Sequence, residues 1–490
     1  MSPTALLGAD EVAQHNTRES CWVVIEGCVY DVTEFLDRHP GGAGIILRYG
    51  GKDATQEYNP IHPPGTIEKE LPQHKHLGRI DPSTIQAATA SSTNAPDQVD
   101  VIPIESCINL NDIEIAAKRV LPRRAWAYFS SAAEDLHSLR YNLDDWSRVL
   151  FRPRILKDVK RVNMQRTILG FESNLPFFIA PAAMARLGHP DGELCLVRGS
   201  ARYNIPYCSS NASSVSHEEL SQCLRQEQQE RQGGCLFFQL YARRTKEDTI
   251  EQLRRAKTLG FKALVITVDT PVVGIREDDD RNRMREAAEN NEPYVPMWGP
   301  PPTEQSEDYV FRGAHSSSLN WDDLQWIKEE WANTGPISIK GILTAEDAKI
   351  ACDMGLESIY LSNHGGRQLE SSPSALRTLL EIRQVYPEVL SKCEVLLDGG
   401  VRRSRDILKA LCLGARAVGL GRPFLYGLSA YGTEGVYKVI QMLSEELETS
   451  MRLLGVTSLD QLSSRFVNTR DLDTSIALDV ADFNLARAKL

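Results

Sequence analysis

No stretch of the 490 residues approaches the roughly 20 consecutive apolar residues that a membrane span requires, so none is expected. No CxxC pair occurs among the 10 cysteines, which are scattered along the chain. In a chain this long, that scatter argues against a disulfide framework or a zinc site and fits a reducing compartment. A basic excess is also missing. Lys+Arg 55 against Asp+Glu 66 leaves a net charge of −11. Such a balance disfavours nucleic acid or a polybasic membrane patch as partner and favours small molecules. The first 20 residues hold Asp10, Glu11 and a single arginine, Arg18. Neither an Arg-rich mitochondrial leader nor an apolar secretory signal is expected from them.

What is present is ordinary globular composition, with 42% hydrophobic and 25% charged residues. From Asp81 to Pro96 Ser, Thr, Ala and Pro dominate and no hydrophobic period survives, so this stretch reads as a flexible linker. The predicted organisation is a small module over residues 1–80, a linker over 81–106, a large domain over 107–465 and a C-terminal tail over 466–490. The large domain shows short β-favouring runs at Phe177–Pro181, Ile205–Ser209, Cys235–Tyr241, Ala263–Asp269, Ile337–Gly341, Ser358–Asn363, Glu394–Gly400 and Ala417–Arg422. Amphipathic stretches such as Thr245–Leu259, Thr344–Met354 and Ser404–Leu413 lie between them. Eight strand–helix alternations predict an α/β fold with a parallel sheet closed as a (β/α)8 TIM barrel. An open doubly wound sheet is the alternative. Residues Glu277–Ser318 break the alternation and are expected to be a mobile excursion after the fourth strand.

In the small module His39 lies in EFLDRHPGG, and His62 follows 23 positions later in NPIHPPG. Two neutral imidazoles facing each other across a pocket can ligate both axial positions of a haem iron. A lone histidine is more often a surface or satisfied core residue. The stretch CWVVIEGCVYDVTEFLDRHPGG, followed by GGKDAT and then His62, resembles the cytochrome b5 family. This resemblance implies a small α+β domain with b-type haem held by His39 and His62. Attachment would be non-covalent, since no CxxCH site exists. With both axial positions filled, the iron would move electrons and not bind oxygen.

In a (β/α)8 enzyme the chemistry sits at the C-terminal strand ends. Those ends carry Gln239 and Tyr241, Thr267 and Asp269, Lys340, His364 and Arg367, Asp398 with Gly400 and Arg402, and Gly421 with Arg422; Arg276 lies just beyond the fourth. Any one of these is as readily a structural ion pair. Five or more on one rim are hard to obtain by accident. Gly-rich turns with Arg402 and Arg422 suit a phosphate. Lys340 can stabilise negative charge on an electron-accepting ring, and Arg276 and Arg367 can grip a carboxylate. His364 is the candidate general base, oriented by Asp269. The set points to oxidation of an acid on a flavin mononucleotide.

The motifs SNHGGRQ, DGGVRR, ITVDTP, IKGI, FFQLY and GLGRPFLYG are similar to the FMN-dependent 2-hydroxy acid dehydrogenase/oxidase family, over residues 108–460. The resemblance implies His364 as proton acceptor assisted by Asp269, with Arg276 and Arg367 on the substrate carboxylate and Tyr128 and Tyr241 bonding to substrate. It places FMN contacts on Ala180, Pro181, Ala182, Ala183, Ser209, Gln239, Thr267, Lys340, Asp398, Gly399, Gly400, Val401, Arg402, Gly421 and Arg422. Phe129, the run Ser131-Ala132-Ala133 and Ala182 depart from the family pattern.

With the haem module in front, the family implies oxidation of an (S)-2-hydroxy acid, L-lactate or a relative. Electrons would pass from FMN to haem and then to a one-electron acceptor such as cytochrome c. The alternatives are an oxidase that reduces oxygen to hydrogen peroxide and a non-catalytic haem electron carrier. A homotetramer packed through the barrels is also implied. The family sets Asn211 over the substrate's variable group, where its amide favours a polar side chain over the methyl of lactate. Ala488-Lys489-Leu490 is a conservative variant of the peroxisomal address Ser-Lys-Leu, so a peroxisomal location is expected. The alternatives are the cytoplasm, or the mitochondrial intermembrane space if a presequence was removed.

Overall fold

The computed structural model describes residues 6–39, 42–84, 101–231, 233–289, 294 and 315–476. Residues 6–84 hold a four-stranded sheet in the order Leu6–Leu7, His76–Ile80, Cys28–Asp31, Trp22–Ile25. One face buries Val23, Ile25, Tyr30, Leu36, Ile67 and Leu71 under short helices. His39 ends the turn Thr33–Arg38, and His62 follows the helix Thr55–Tyr58.

The large unit is a closed barrel of eight parallel strands: β1 (Phe177–Ile179), β2 (Pro206–Ser209), β3 (Cys235–Leu240), β4 (Ala263–Thr267), β5 (Ile337–Ile342), β6 (Ser358–Leu361), β7 (Glu394–Leu397) and β8 (Ala417–Leu420). Pairing of Val418 with Phe177 and Leu420 with Ile179 closes it, which excludes the open sheet. The strands read as continuous apolar runs because both faces are covered. Alternate residues Phe178, Cys208, Phe237, Val265, Tyr360 and Leu396 fill the interior. Their neighbours Phe177, Tyr207, Leu264, Ile359 and Leu397 pack against the outer helices. A hairpin of Arg166–Ile168 with Phe171–Ser173 places Ile168 and Leu169 in the interior cluster, so packing plugs one end. The strand C-termini are left as the reactive end.

Three expectations need correction. The linker assigned to 81–106 is structured at both ends: Thr84 accepts a hydrogen bond from Ala9, and the Tyr431 hydroxyl donates to the Ile102 carbonyl at 2.7 Å. Residues 85–100 lie outside the described residues. The tail assigned from 466 begins inside the fold, because Val467–Asn468 pairs antiparallel with Leu150–Phe151 and Leu472 is buried. Finally, the excursion after β4 opens with a 13-residue helix, α1 (Glu277–Glu289). Four acidic residues in its first turn suit the positive end of the helix dipole, and Arg281 pairs with both Glu277 and Asp278. The rest of that excursion, apart from Tyr294 and 315–318, lies outside the described residues.

The turn after β7 depends on glycine. Gly400 has φ +72°, and a Cβ there would lie 1.7 Å from the Asn142 carbonyl oxygen. At exposed Gly170, φ is +76° with nothing within 4 Å. Gly170→Ala should therefore cost only backbone strain, about 1 kcal/mol. Gly400→Ala should cost at least about 3 kcal/mol, because backbone must also move. Equal costs in urea unfolding of the two variants would contradict this account.

Candidate active site

Asp269, just past β4, lies between the His364 imidazole and the Lys340 ammonium. Its Oδ1 is 2.8 Å from His364 Nδ1, and its Oδ2 is 3.6 Å from Lys340 Nζ. Burial alone would raise the Asp269 carboxyl, but His364 and Lys340 outweigh it and hold the group ionised far below the usual carboxylate range. Gly341 makes the approach possible: with φ +111°, a Cβ there would sit 2.7 Å from the Asp269 Cβ. Lys340 is itself 4% exposed, donates to Ser362 Oγ at 2.9 Å and lies 3.8 Å from Asp398. Ser362 also accepts from the His364 backbone N–H and donates to Asp398.

His364 has φ +58°, which turns its side chain from the β6 end across to Asp269. With Nδ1 engaged, Nε2 faces the Tyr241 hydroxyl at 3.5 Å. Burial lowers the imidazole's proton affinity, and Asp269 opposes that effect. The ring is thus neutral at physiological pH with a lone pair on Nε2, as a proton acceptor must be.

Two arginines flank this base. Arg367 Nη1 donates to the carbonyls of Tyr128 and Ser131, both at 2.8 Å, and its guanidinium lies over the Tyr128 ring at 5.1 Å. Burial and the neighbouring Arg276 push Arg367 down to about 9. An anion between the arginines would relieve that repulsion. Arg276 Nε is buried without a hydrogen-bond partner among the described residues, which fits a group that receives a ligand.

The expected flavin contacts line the same mouth. Gln239 donates to Thr267 Oγ1 at 2.9 Å and accepts from the Asn211 backbone N–H at 3.0 Å. Ser209 Oγ and Arg402 Nη1 are buried without partners among the described residues. Gly399 and Gly400 carry positive φ, and a Cβ on Gly421 would meet nothing within 4 Å. Unmet donors beside an open glycine cradle fit a phosphate-bearing group. The Val401 side chain is in the core, which leaves only its backbone for contact. Arg422 is also tied to backbone. Its three nitrogens each donate at 3.0 Å to the carbonyls of Phe129, Gly365 and Ser131, which fastens the Tyr128 and Arg367 segments together.

In the small module the His39 and His62 ring centroids are 6.0 Å apart. Their Nδ1 atoms engage the carbonyls of Gly42 and Tyr58, at 3.2 and 3.1 Å. Both Nε2 atoms are thereby left as ligands. One iron between them would need two bonds of about 2 Å, plus about 1 Å from each nitrogen to its ring centre, which this spacing supplies. Burial keeps both rings neutral, with His62 lowered to about 4.

Sequence reasoning missed Ser362, which ties Lys340, Asp398 and His364, and the reciprocal amide pair Asn142–Asn363 under Gly399. It also missed His315, stacked on Tyr241. Small polar residues carry no sequence signal of their role. Ser362 and Asn363 lie inside the SNHGGRQ motif, which could have flagged them, whereas Asn142 and His315 have no such marker.

His364→Gln should keep bound flavin yet lose turnover by about 10²–10⁴-fold. The acid limb of kcat/KM should lie below the ordinary histidine value of 6.5, since burial favours the neutral ring. Asp269→Asn removes the charge that opposes burial, so residual activity should show that limb displaced further down. An upward displacement in the pH profile would exclude His364 as the titrating base.

Comparison with known proteins matches this geometry. Residues 117–469 match the FMN-dependent dehydrogenase family, and residues 8–81 match the cytochrome b5-like heme/steroid binding domain. An L-lactate dehydrogenase (cytochrome) of Wickerhamomyces anomalus is 40% identical over 467 residues, covering 94% of this chain and 79% of the relative. A peroxisomal (S)-2-hydroxyacid oxidase of Arabidopsis thaliana is 38% identical over 75% of this chain and 98% of its own. The solved flavin-binding domain of baker's yeast flavocytochrome b2 aligns with TM-score 0.68 and 35% identity, over 79% of this chain and 93% of that one. The chain belongs to the FMN-dependent dehydrogenase family and carries a cytochrome b5-like haem domain in front of the flavin barrel, the arrangement of flavocytochrome b2.

Proposed function

We propose that this enzyme oxidises an (S)-2-hydroxy acid, with L-lactate as the reference substrate, and passes the electrons through haem to an external one-electron acceptor. The observation that carries the reading is His364 Nε2 facing Tyr241 between Asp269 and the Arg276–Arg367 pair. The substrate carboxylate takes the place between the arginines, and its hydroxyl meets Tyr241 and His364. His364 removes a proton, and the positive charge it gains is stabilised by the ionised Asp269. Lys340, 3.6 Å from the same carboxylate, keeps Asp269 ionised throughout. Bound FMN supplies the two-electron acceptor that releases electrons singly, and Lys340, Gln239, Ser209 and Arg402 are the residues that would hold it. His39 and His62 would hold the haem iron. The chain that supports this function is proposed to assemble as a homotetramer; exposed Leu150, Ile155 and Leu156 offer apolar surface for it.

Stopped-flow mixing with L-lactate tests the reading. The flavin band should bleach first and the haem band should then follow. Oxygen-dependent flavin turnover with a lagging haem would instead make the chain an oxidase. No change in either band with any 2-hydroxy acid would leave only an electron carrier.

The location proposed is the peroxisome. It is supported by Ala488-Lys489-Leu490, which lies outside the described residues, and by the peroxisomal oxidases among the relatives. An N-terminally tagged chain should be punctate and become diffuse when Leu490 is deleted. A distribution that ignores the deletion would rule the address out.

A further inference from the structure

Three polar side chains beside the base take no part in proton removal. His315, on the segment returning to β5, stacks on Tyr241 with ring centroids 4.2 Å apart and planes 18° from parallel. A backbone bridge joins it to Arg243, whose positive charge reaches its imidazole. His315 Nδ1 is shut off from solvent and has no hydrogen-bond partner among the described residues. Leaving a buried polar atom unpaired costs about 1–3 kcal/mol. An apolar side chain would cover Tyr241 without that cost, so the imidazole calls for a partner that the described residues do not supply.

Asn211, at the neighbouring strand end, is oriented by a relay. Its Oδ1 accepts from the Gln252 amide at 2.9 Å, and the Gln252 oxygen in turn accepts from the Arg243 guanidinium. Its backbone N–H donates to Gln239. None of the described hydrogen bonds uses Asn211 Nδ2, which leaves a donor. A donor amide and a guanidinium are thus joined through Gln252, and the backbone bridge sets the neutral His315 imidazole beside that same arginine.

We propose that His315, Asn211 and Arg243 form a second anion subsite, which receives the distal carboxylate of a 2-hydroxydicarboxylic acid. This rests on the 2-hydroxy acid reading above, in which Arg276 and Arg367 take the first carboxylate. A carboxylate only accepts hydrogen bonds, so it matches Asn211 Nδ2 and an imidazole N–H together, and it gains from the field of Arg243. The methyl of lactate satisfies none of these groups. Burial first, then Arg243, lowers His315 to about 4. The positive charge in this corner therefore comes from Arg243, while His315 contributes a directed hydrogen bond.

The test compares L-malate with L-2-hydroxybutyrate, which has the same chain length and no second carboxylate. The full-length enzyme loaded with both cofactors should show kcat/KM for L-malate at least tenfold above that for L-2-hydroxybutyrate. His315→Ile and Asn211→Leu should each reduce that ratio by about tenfold. Binding is read independently by titrating the flavin absorption with D-malate and with D-2-hydroxybutyrate. The dicarboxylate should bind the unmodified enzyme at least tenfold tighter, and that margin should shrink in both variants. Flavin occupancy near one per chain shows that a variant is folded, and Arg243→Gln serves if either of the other two is not. Turnover of L-2-hydroxybutyrate or L-lactate equal to or better than that of L-malate would overturn the subsite and leave the 2-hydroxy acid reading standing. An unchanged ratio in folded variants would do the same. Failure of every 2-hydroxy acid to reduce the flavin would remove the reading and the subsite together.

Discussion

A single buried carboxylate organises the reactive end of the barrel. Asp269 is desolvated and could not stay ionised alone, since an isolated buried charge costs several kcal/mol. His364 and Lys340 supply the compensation from β6 and β5, at 2.8 and 3.6 Å. Three strand ends are thereby bound to one electrostatic centre. The same bond fixes His364 with Nε2 outward, so the interaction that makes the burial tolerable also presents that nitrogen to Tyr241. Lys340 then reaches Asp398 at 3.8 Å and, through Ser362, extends the network to the turn after β7.

Substrate and cofactor groups share walls as a result. Arg422 gives three donors to the carbonyls of Phe129, Gly365 and Ser131, and Arg367 gives two to Tyr128 and Ser131. The segment carrying Tyr128 is therefore held by cations that belong to β6 and β8. α1 continues the theme. It begins directly after Arg276, turns Asp279 toward Arg276 and Arg367, and ends near Glu286, which pairs with Arg48 of the haem module at 2.9 Å. One helix thus joins Arg276 and Arg367 to the haem module.

The sequence by itself determined the eight strands and their order, because a parallel sheet covered on both faces needs apolar runs of the right length with helices between them. It also singled out His39 and His62, and Lys340, His364, Arg367 and Asp269 as a set, since several charged or polar groups on one rim are hard to obtain by accident. Tertiary structure alone decided the pairings. That Asp269, expected to orient His364, also meets Lys340, that Arg422 binds three backbone carbonyls, and that His315 stacks on Tyr241 all depend on distances between segments far apart in the chain. The edges of the large unit were likewise decided in three dimensions. Ile102 and Val467 lie in sequence that looks like linker and tail, yet one accepts a hydrogen bond from Tyr431 and the other pairs with Phe151. Local composition reports how a segment would behave alone, whereas its order is set by the partner that packing brings to it.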